Sequence, residues 1–424
     1  MNAIAPVGIS PSAFLDRGDV KGNAARLKAA DYLRTVGLPR AGVEAWKYTS
    51  LRALADVPFA DAPRDVDTGA VDTLLAEVES ISGLGAGANR AVFVNGRFDA
   101  GRSRLPQGVK VAAFDPAVEP RDGIDPAGDV TTALNTVLAH DGLALIVPAG
   151  VDAGCLLLVS IGLAGEDTPV SFHPQHRIVV EEGGRLAVLD AAVGRGYYLH
   201  NPLYDITVEE GAYLSHARIQ AEGKKALHLA VSHARVASRG VYDSFTLTLG
   251  ASLSRHEVHA GLNAAGASVH VNGAQLLAGH QHGDLTSVIT HAAPDCISRQ
   301  TVKNVLADHA RGVFQGKIHV ERIAQKTDGY QMNQALLLSD TAEIDAKPEL
   351  EIYADDVKCS HGATVGALDD DQLFYLRSRG IPNEAARSIL IRAFLHDVVD
   401  QIDDARLKDG LNLAVEAWWK REVA

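Results

Sequence analysis

Cys359 and His361 stand one serine apart in the stretch VKCSHGATVG, residues 357 to 366. In an extended chain residues two apart point to the same face, so the thiol and the imidazole would share one side of a strand. A neutral imidazole beside a thiol supports two chemistries. The two can ligate a metal together, or the imidazole can lower the thiol pKa and ready a nucleophile. The plainer alternative is a strand whose alternation ends at a glycine turn, and the residues alone leave all three open.

The other cysteines offer less. Cys155, in GCLLLVS, reads as a small core residue among leucines. Cys296, in APDCISRQ, lies at a turn-like site beside Arg299 and is expected to be partly exposed. Three cysteines with no CxxC or metal-knuckle spacing argue against a disulfide framework and for a reducing compartment.

Histidine is abundant, 17 in all, and two clusters resemble ligand pairs. His280 and His282, in GHQHGD, would share one face of a strand, as in the metal site of a cupin; Asp284 is the nearest carboxylate and a third ligand is missing. His256 and His259, in HEVH, are three apart and face opposite sides of a strand. Taken singly, each histidine reads as a half-buried hydrogen-bonding residue. HExxH, P-loop and GxSxG motifs are absent, and GLGAGAN at 83 to 89 lacks the strand-loop-helix setting of a phosphate loop. A cupin-like metal-dependent enzyme built on His280 and His282 therefore stands as an alternative function.

The elements that must position these residues change twice along the chain. Up to about residue 140 the pattern is mainly helical: AARLKAADYLRTVGLP has helical spacing, and GDVTTALNTVLAHDG predicts a helix capped by Asp129. AVFVNGRFD predicts a small hairpin turning at Asn95-Gly96. From 141 to 365 short alternating strands follow in quick succession. A turn of glycine, small residue, any residue, then apolar recurs at Gly183, Gly211, Gly250 and Gly266. Its irregular spacing excludes a strict hexapeptide solenoid but not a looser β-helix, and it leaves a β-sandwich or jelly roll equally open. From 366 to 424 helices return. Ile389, Leu390, Phe394, Val398 and Ile402 fall on a predicted apolar stripe, and Trp418 and Trp419 lie near the chain end. That stripe must be covered by the protein's own body or by a partner.

Composition bounds the function. The net charge of −13 and the lack of a long basic block make nucleic acid and anionic membranes poor partners. GLALIVPAGVDAGCLLLVSIGLAG, the most apolar stretch, is broken by Pro148, Gly150 and Asp152, so it predicts two buried strands rather than a membrane span. The first residues, MNAIAPVGISPSAFLDR, lack a secretory pattern. The expectation is a soluble, acidic, cytoplasmic protein.

The span DTAEIDAKPELEIYADDVKCSHGATVGALDDDQLFYLRSRGI, from Asp340, resembles the signature region of the SufD subunits in the SufB/SufD family of iron–sulfur cluster assembly proteins. VEAWKYTSL near 43, FVNGRF at 93 and DHARGVFQGKI at 308 are similar to the same family. The resemblance implies a right-handed parallel β-helix core flanked by N-terminal and C-terminal helical domains. It implies a non-catalytic scaffold subunit that pairs with SufB through the end of the β-helix and binds the SufC ATPase through its C-terminal helices. It implies that His361 contributes, with a SufB cysteine, to a transient iron or Fe–S site at the interface, with Cys359 at the motif cysteine. No cofactor bound stably by the single chain is implied, a flavin is admitted, and a homodimer is the alternative assembly when SufB is absent.

Overall fold

A β-solenoid must turn its chain at every corner, and left-handed residues mark one such edge. In the computed structural model Gly183, Gly211, Arg239, Gly266, Asp295 and Lys326 all have φ between 55° and 73°. The N–H of each donates to a carbonyl of the following turn, on Glu210, Ser238, Ala265, Pro294, Gln325 and Asp356, so the six corners form one stacked column. Three of the four glycine turns expected from sequence belong to it. At the fourth, Ala251 rather than Gly250 carries the positive φ, and its N–H donates instead to Glu222. The irregular spacing of the motif arises because its glycines mark two different edges and because Arg239, Asp295 and Lys326 fill left-handed positions without glycine.

The structure describes residues 10–18, 23–39, 43–55, 57–112, 114 and 129–422. Between the turns the chain alternates between two parallel sheets. Eight strands stack in the first: Ala144–Val147, Gln175–Val180, Leu203–Val208, Leu227–Val236, Leu253–Leu262, His282–His291, Arg311–Val320 and Glu343–Ile352. Eight more form the second: Asp152–Leu163, Arg185–Arg195, Tyr213–Gln220, Val241–Thr248, Ser268–Leu277, Ile297–Leu306, Asp328–Leu337 and Lys358–Gly366. The fold is therefore mainly β, a parallel solenoid and not a sandwich or jelly roll. The two strands expected around Pro148 exist, but they enter different sheets.

One end of the solenoid is closed and the other is not. Arg90–Val94 and Arg97–Phe98 form the expected hairpin, with φ of 48° at Asn95 and 74° at Gly96, the two-residue turn that suits strand twist. The hairpin pairs with Asp152–Leu163, and the Asn95 side chain exchanges hydrogen bonds with the backbone of Leu163 at 2.8 and 3.0 Å. Lys110–Ala112 closes the first sheet in the same way, antiparallel to Ala144–Val147. At the far end, Glu343–Ile352 and Lys358–Gly366 are the last strands of their sheets.

Helices cover both outer faces. Ala24–Val36, capped by Asn23, and Val130–Leu138, capped by Asp129, pack through Ala29, Leu33, Leu134 and Val137 onto Leu199, Leu227 and Leu229. Thr68–Ser82, Asn383–Val399 and Ala405–Glu422 cover the second sheet through Val78, Leu395, Leu411 and Trp418. The terminal helices thus bury a stripe on the protein's own body. That stripe is Ile391, Leu395, Val398, Val399 and Ile402, whereas Ile389 is 38% exposed and Leu390 and Phe394 are only partly buried. SILIRAFL offers two overlapping apolar stripes, and helical periodicity cannot choose between them. Asp370–Ser378 buries none of its residues, and it displays Phe374 and Tyr375 at 71% and 56% exposure.

Candidate functional site

Between the sheets lies a narrow interior that is apolar at one side and polar along the rest. Leu156, Val188, Leu214, Val236 and Val258 belong to the apolar part. Asp190, Tyr204, His216 and Arg218 form a buried polar knot: Tyr204 Oη donates to Asp190 Oδ2 at 2.5 Å, and Arg218 Nε lies 3.2 Å from the same oxygen. Burial alone would raise the Asp190 pKa, but Arg218 and His216 more than reverse that and hold it ionised.

The polar lining continues to the open end. In Asp328–Leu337 the residues Gly329, Gln331 and Asn333 are buried and alternate with half-buried neighbours. The last strand stacks in register on this one, Gly329 on Cys359 and Gln331 on His361. Cys359 and His361 therefore share the inner face, as their spacing predicts. With no further strand above them among the described residues they stand at the mouth of the interior, Cys359 half-buried and His361 exposed. Beneath them, Gln331 Nε2 and Oε1, Gln300 Nε2, Asn333 Nδ2 and Asn304 Oδ1 are buried without hydrogen-bond partners, a concentration that marks a polar, hydratable lining.

The thiol is not an activated nucleophile as it stands. Burial pushes the Cys359 pKa up and Asp328 adds to the effect, against a backbone hydrogen bond from Gly329. Burial thus favours the neutral thiol, and binding of a metal would favour the thiolate. Cys359 and His361 are thus one sulfur and one imidazole on the same face at the open end.

The remaining expectations sort clearly. Cys296 is fully buried, with Sγ donating to Ala264 O at 3.3 Å, so its expected exposure was wrong. Arg299 beside it pairs instead with Asp328, and the corner column tucks the Cys296 side chain into the interior cluster. Cys155 packs partly buried against the helix-covered face, and burial lifts its pKa to about 11. All three thiols are free. His280 and His282 do not form a pair. His280 lies in a turn and stacks on His309 with ring centroids 4.9 Å apart, while His282 opens a strand and faces Thr49 at 3.0 Å. His256 points inward between Ser232 and Thr246, and His259 points outward against His233, the opposite faces their spacing predicts.

Residues that sequence reasoning did not single out hold the N-terminal segment in place. Arg255 lies with its guanidinium 4.0 Å over the Trp46 ring and donates to Ala45 O, while its other nitrogens pair with Glu257 and Asp284. Asp284, proposed from sequence as a nearby carboxylate, is fully engaged there and with Thr49. The AWKYT stretch is thus a clasp on the first sheet.

Two family models match in tandem: SufBD protein N-terminal region over residues 19–157, and SUF system FeS cluster assembly, SufBD core domain, over residues 163–394. The chain belongs to the SufBD family. Among SufBD proteins it is 33% identical over 403 residues to the iron-sulfur cluster assembly protein SufD of Escherichia coli (strain K12), covering 93% of this chain and 92% of that one. It is 30% identical over 411 residues to the SufBD family protein slr0076 of Synechocystis, with 92% and 89% covered. Protein ABCI7, chloroplastic, of Arabidopsis thaliana is 34% identical over 294 residues, 67% of this chain and 62% of that one. The SufBD core model takes in the open end with Cys359 and His361, and a SufD-like role in iron–sulfur cluster assembly follows. None of the helices among the described residues is long and apolar enough to cross a membrane.

Proposed function

We propose that this chain is a cytoplasmic, non-catalytic scaffold subunit that pairs through the open end of its solenoid with a SufB-type partner and binds a SufC-type ATPase through its C-terminal helices. The observation that carries the reading is the last strand, which among the described residues has no neighbour on its outer side and presents Cys359 and His361 at the mouth of the interior. An unpaired edge invites a second chain, and a half-site invites the missing donors. Imidazole and thiolate suit iron and sulfide, so the shared site would hold iron or a nascent cluster transiently, with His361 as ligand and Cys359 beside it. The aromatic pair Phe374 and Tyr375 on Asp370–Ser378 supplies a surface for the ATPase, whose cycling would open and close the subunit interface.

The test is cluster formation by the co-expressed complex carrying His361→Ala. Normal assembly with both partners and a reduced yield of cluster are expected. Full cluster yield would reduce His361 to a bystander, and loss of the complex itself would give it a structural role.

A further inference from the structure

Among the described residues, His200, Glu222 and His228 bring three donor atoms within 4.8 Å of one another, all fully buried, far along the solenoid from the open end. We infer that these three side chains bind one divalent transition-metal ion of the ferrous iron–zinc class. This site is separate from the half-site at Cys359 and His361 and does not depend on it.

Strand register builds the group. Tyr198–His200 runs parallel to Leu227–Val236, with His200 on His228, so the two imidazoles are stacked one turn apart with ring centroids 4.8 Å apart and planes at 84°. Glu222, just beyond Tyr213–Gln220 in the second sheet, reaches between them. Its Oε1 lies 3.0 Å from His200 Nδ1 and its Oε2 lies 2.6 Å from His228 Nδ1.

Hydrogen bonding alone leaves the group incomplete. His200 Nε2 is buried without a partner, and His228 Nδ1 and the Tyr198 hydroxyl, though both lie beside Glu222, are not aligned to donate to it. Native interiors seldom leave so many polar atoms of one cluster unsatisfied.

The donor set is two imidazoles and a carboxylate, the set that selects zinc or non-haem iron. Gln220 Nε2 donates to Glu222 Oε2 at 2.9 Å and orients it, the kind of outer support metal carboxylates have. Arg218 lies 3.2 Å from His228 Nε2. Metal binding at Nδ1 would shift the imidazole proton to Nε2 with no proton gained or lost, and Arg218 keeps its contact with Asp190. A cavity of about 270 Å³ borders the group at Glu222, its wall including the glycines Gly194, Gly223 and Gly250. A Cβ at Gly194 would lie 2.3 Å from the Tyr198 hydroxyl, so the glycine keeps this wall thin.

The test uses the full chain stripped with chelator and titrated anaerobically with Co(II), followed by visible absorption. One equivalent should bind, with d–d bands of a low-coordinate nitrogen–oxygen site and no thiolate band. Binding should persist in Cys359→Ser/His361→Ala and in His280→Ala. It should weaken in Glu222→Gln and His228→Gln by more than the roughly 10–100-fold that outer supporting residues are worth. Because those buried substitutions can disturb folding, X-ray absorption of the Fe(II)- or Zn(II)-loaded wild type is the second measurement, with imidazole scattering and no sulfur expected. Absence of Co(II) binding, sulfur among the ligands, or loss of the metal with Cys359 and His361 or with His280 would each overturn the assignment. None of these outcomes bears on the cluster yield of the His361→Ala complex.

Discussion

A histidine enclosed by protein stays neutral because a buried cation loses its hydration, and several here are enclosed completely. Burial lowers the pKa of His173 and His176 to about 3 and that of His291 to about 4. His176 Nδ1 accepts from Leu143 N at 3.3 Å, so protonation there would set donor against donor. All three lie below the ordinary value of 6.5. As pH falls below 6.5 the unfolded chain takes up protons that the folded chain refuses. Their contribution is complete above 6.5 and is lost between 6.5 and about 3 to 4, at up to about 1.4 kcal/mol per group per pH unit. His259, whose pKa is raised chiefly by Glu257 against burial, acts in the opposite direction. The urea midpoint should therefore fall clearly from pH 7.5 to pH 5, and an unchanged midpoint would mean that these rings are not buried neutral. At this scale spacing revealed the shared face of Cys359 and His361 and the opposed faces of His256 and His259, because parity in a strand is local. It could not reveal that Cys296 is enclosed or that His200 meets Glu222 and His228, because those facts depend on which turn stacks on which.

Single elements were read best where their ends carry their own chemistry. Asp129 caps Val130–Leu138 by accepting from Thr131 N and Thr132 N, and Asn95-Gly96 turns the hairpin, both as their residues predict. The apolar stripe of Asn383–Val399 was misplaced because contact with the second sheet, and not periodicity, decides between neighbouring faces. The clasp at residues 45 to 49 was not legible, since its partner Arg255 is more than 200 residues away. Trp46→Ala should cost about 3–5 kcal/mol, the usual range for a buried tryptophan, and should expose residues 43–55 to protease before the solenoid is cut. Cleavage that begins instead in the strands would mean that the clasp is not the first element to open. Phe374→Asp with Tyr375→Ser removes only exposed side chains, so thermal stability should stay within about 0.5 kcal/mol of wild type. Under the proposed function the same variant should fail to capture a SufC-type ATPase in a pull-down, and undiminished capture would move that contact elsewhere.

As a whole the molecule is a stack in which each turn touches chiefly its neighbours, so stability is shared along one direction. The sequence announced strands, turns and flanking helices but left sandwich and solenoid unresolved, since alternation is common to both. The family resemblance, and then the register of sixteen strands, decided between them. Helices and antiparallel strands close one end, whereas the last strand at the other has, among the described residues, a partner on one side only. Amide hydrogen exchange should be slowest in Arg185–Arg195 and Tyr213–Gln220 and progressively faster through Asp328–Leu337 to Lys358–Gly366. Uniform protection along the stack would contradict this picture.

The unfinished end also discriminates between visitors. Its last first-sheet strand carries Glu343, Asp345, Glu349 and Glu351 against the single cation Lys347, with Arg311 and Lys317 of the strand beneath pairing with Asp345 and Glu351, and Pro348 has no N–H to lend to an incoming strand. Two copies meeting tip to tip would bring the remaining excess of negative charge together, a repulsion that physiological salt screens over roughly 8 Å. A filament of stacked copies is thereby discouraged without the tip being blunted for a chain of complementary charge. Self-association, followed by sedimentation, should accordingly rise with added salt and be promoted by Glu349→Lys/Glu351→Lys. If salt leaves the monomer fraction untouched, something other than charge keeps identical tips apart.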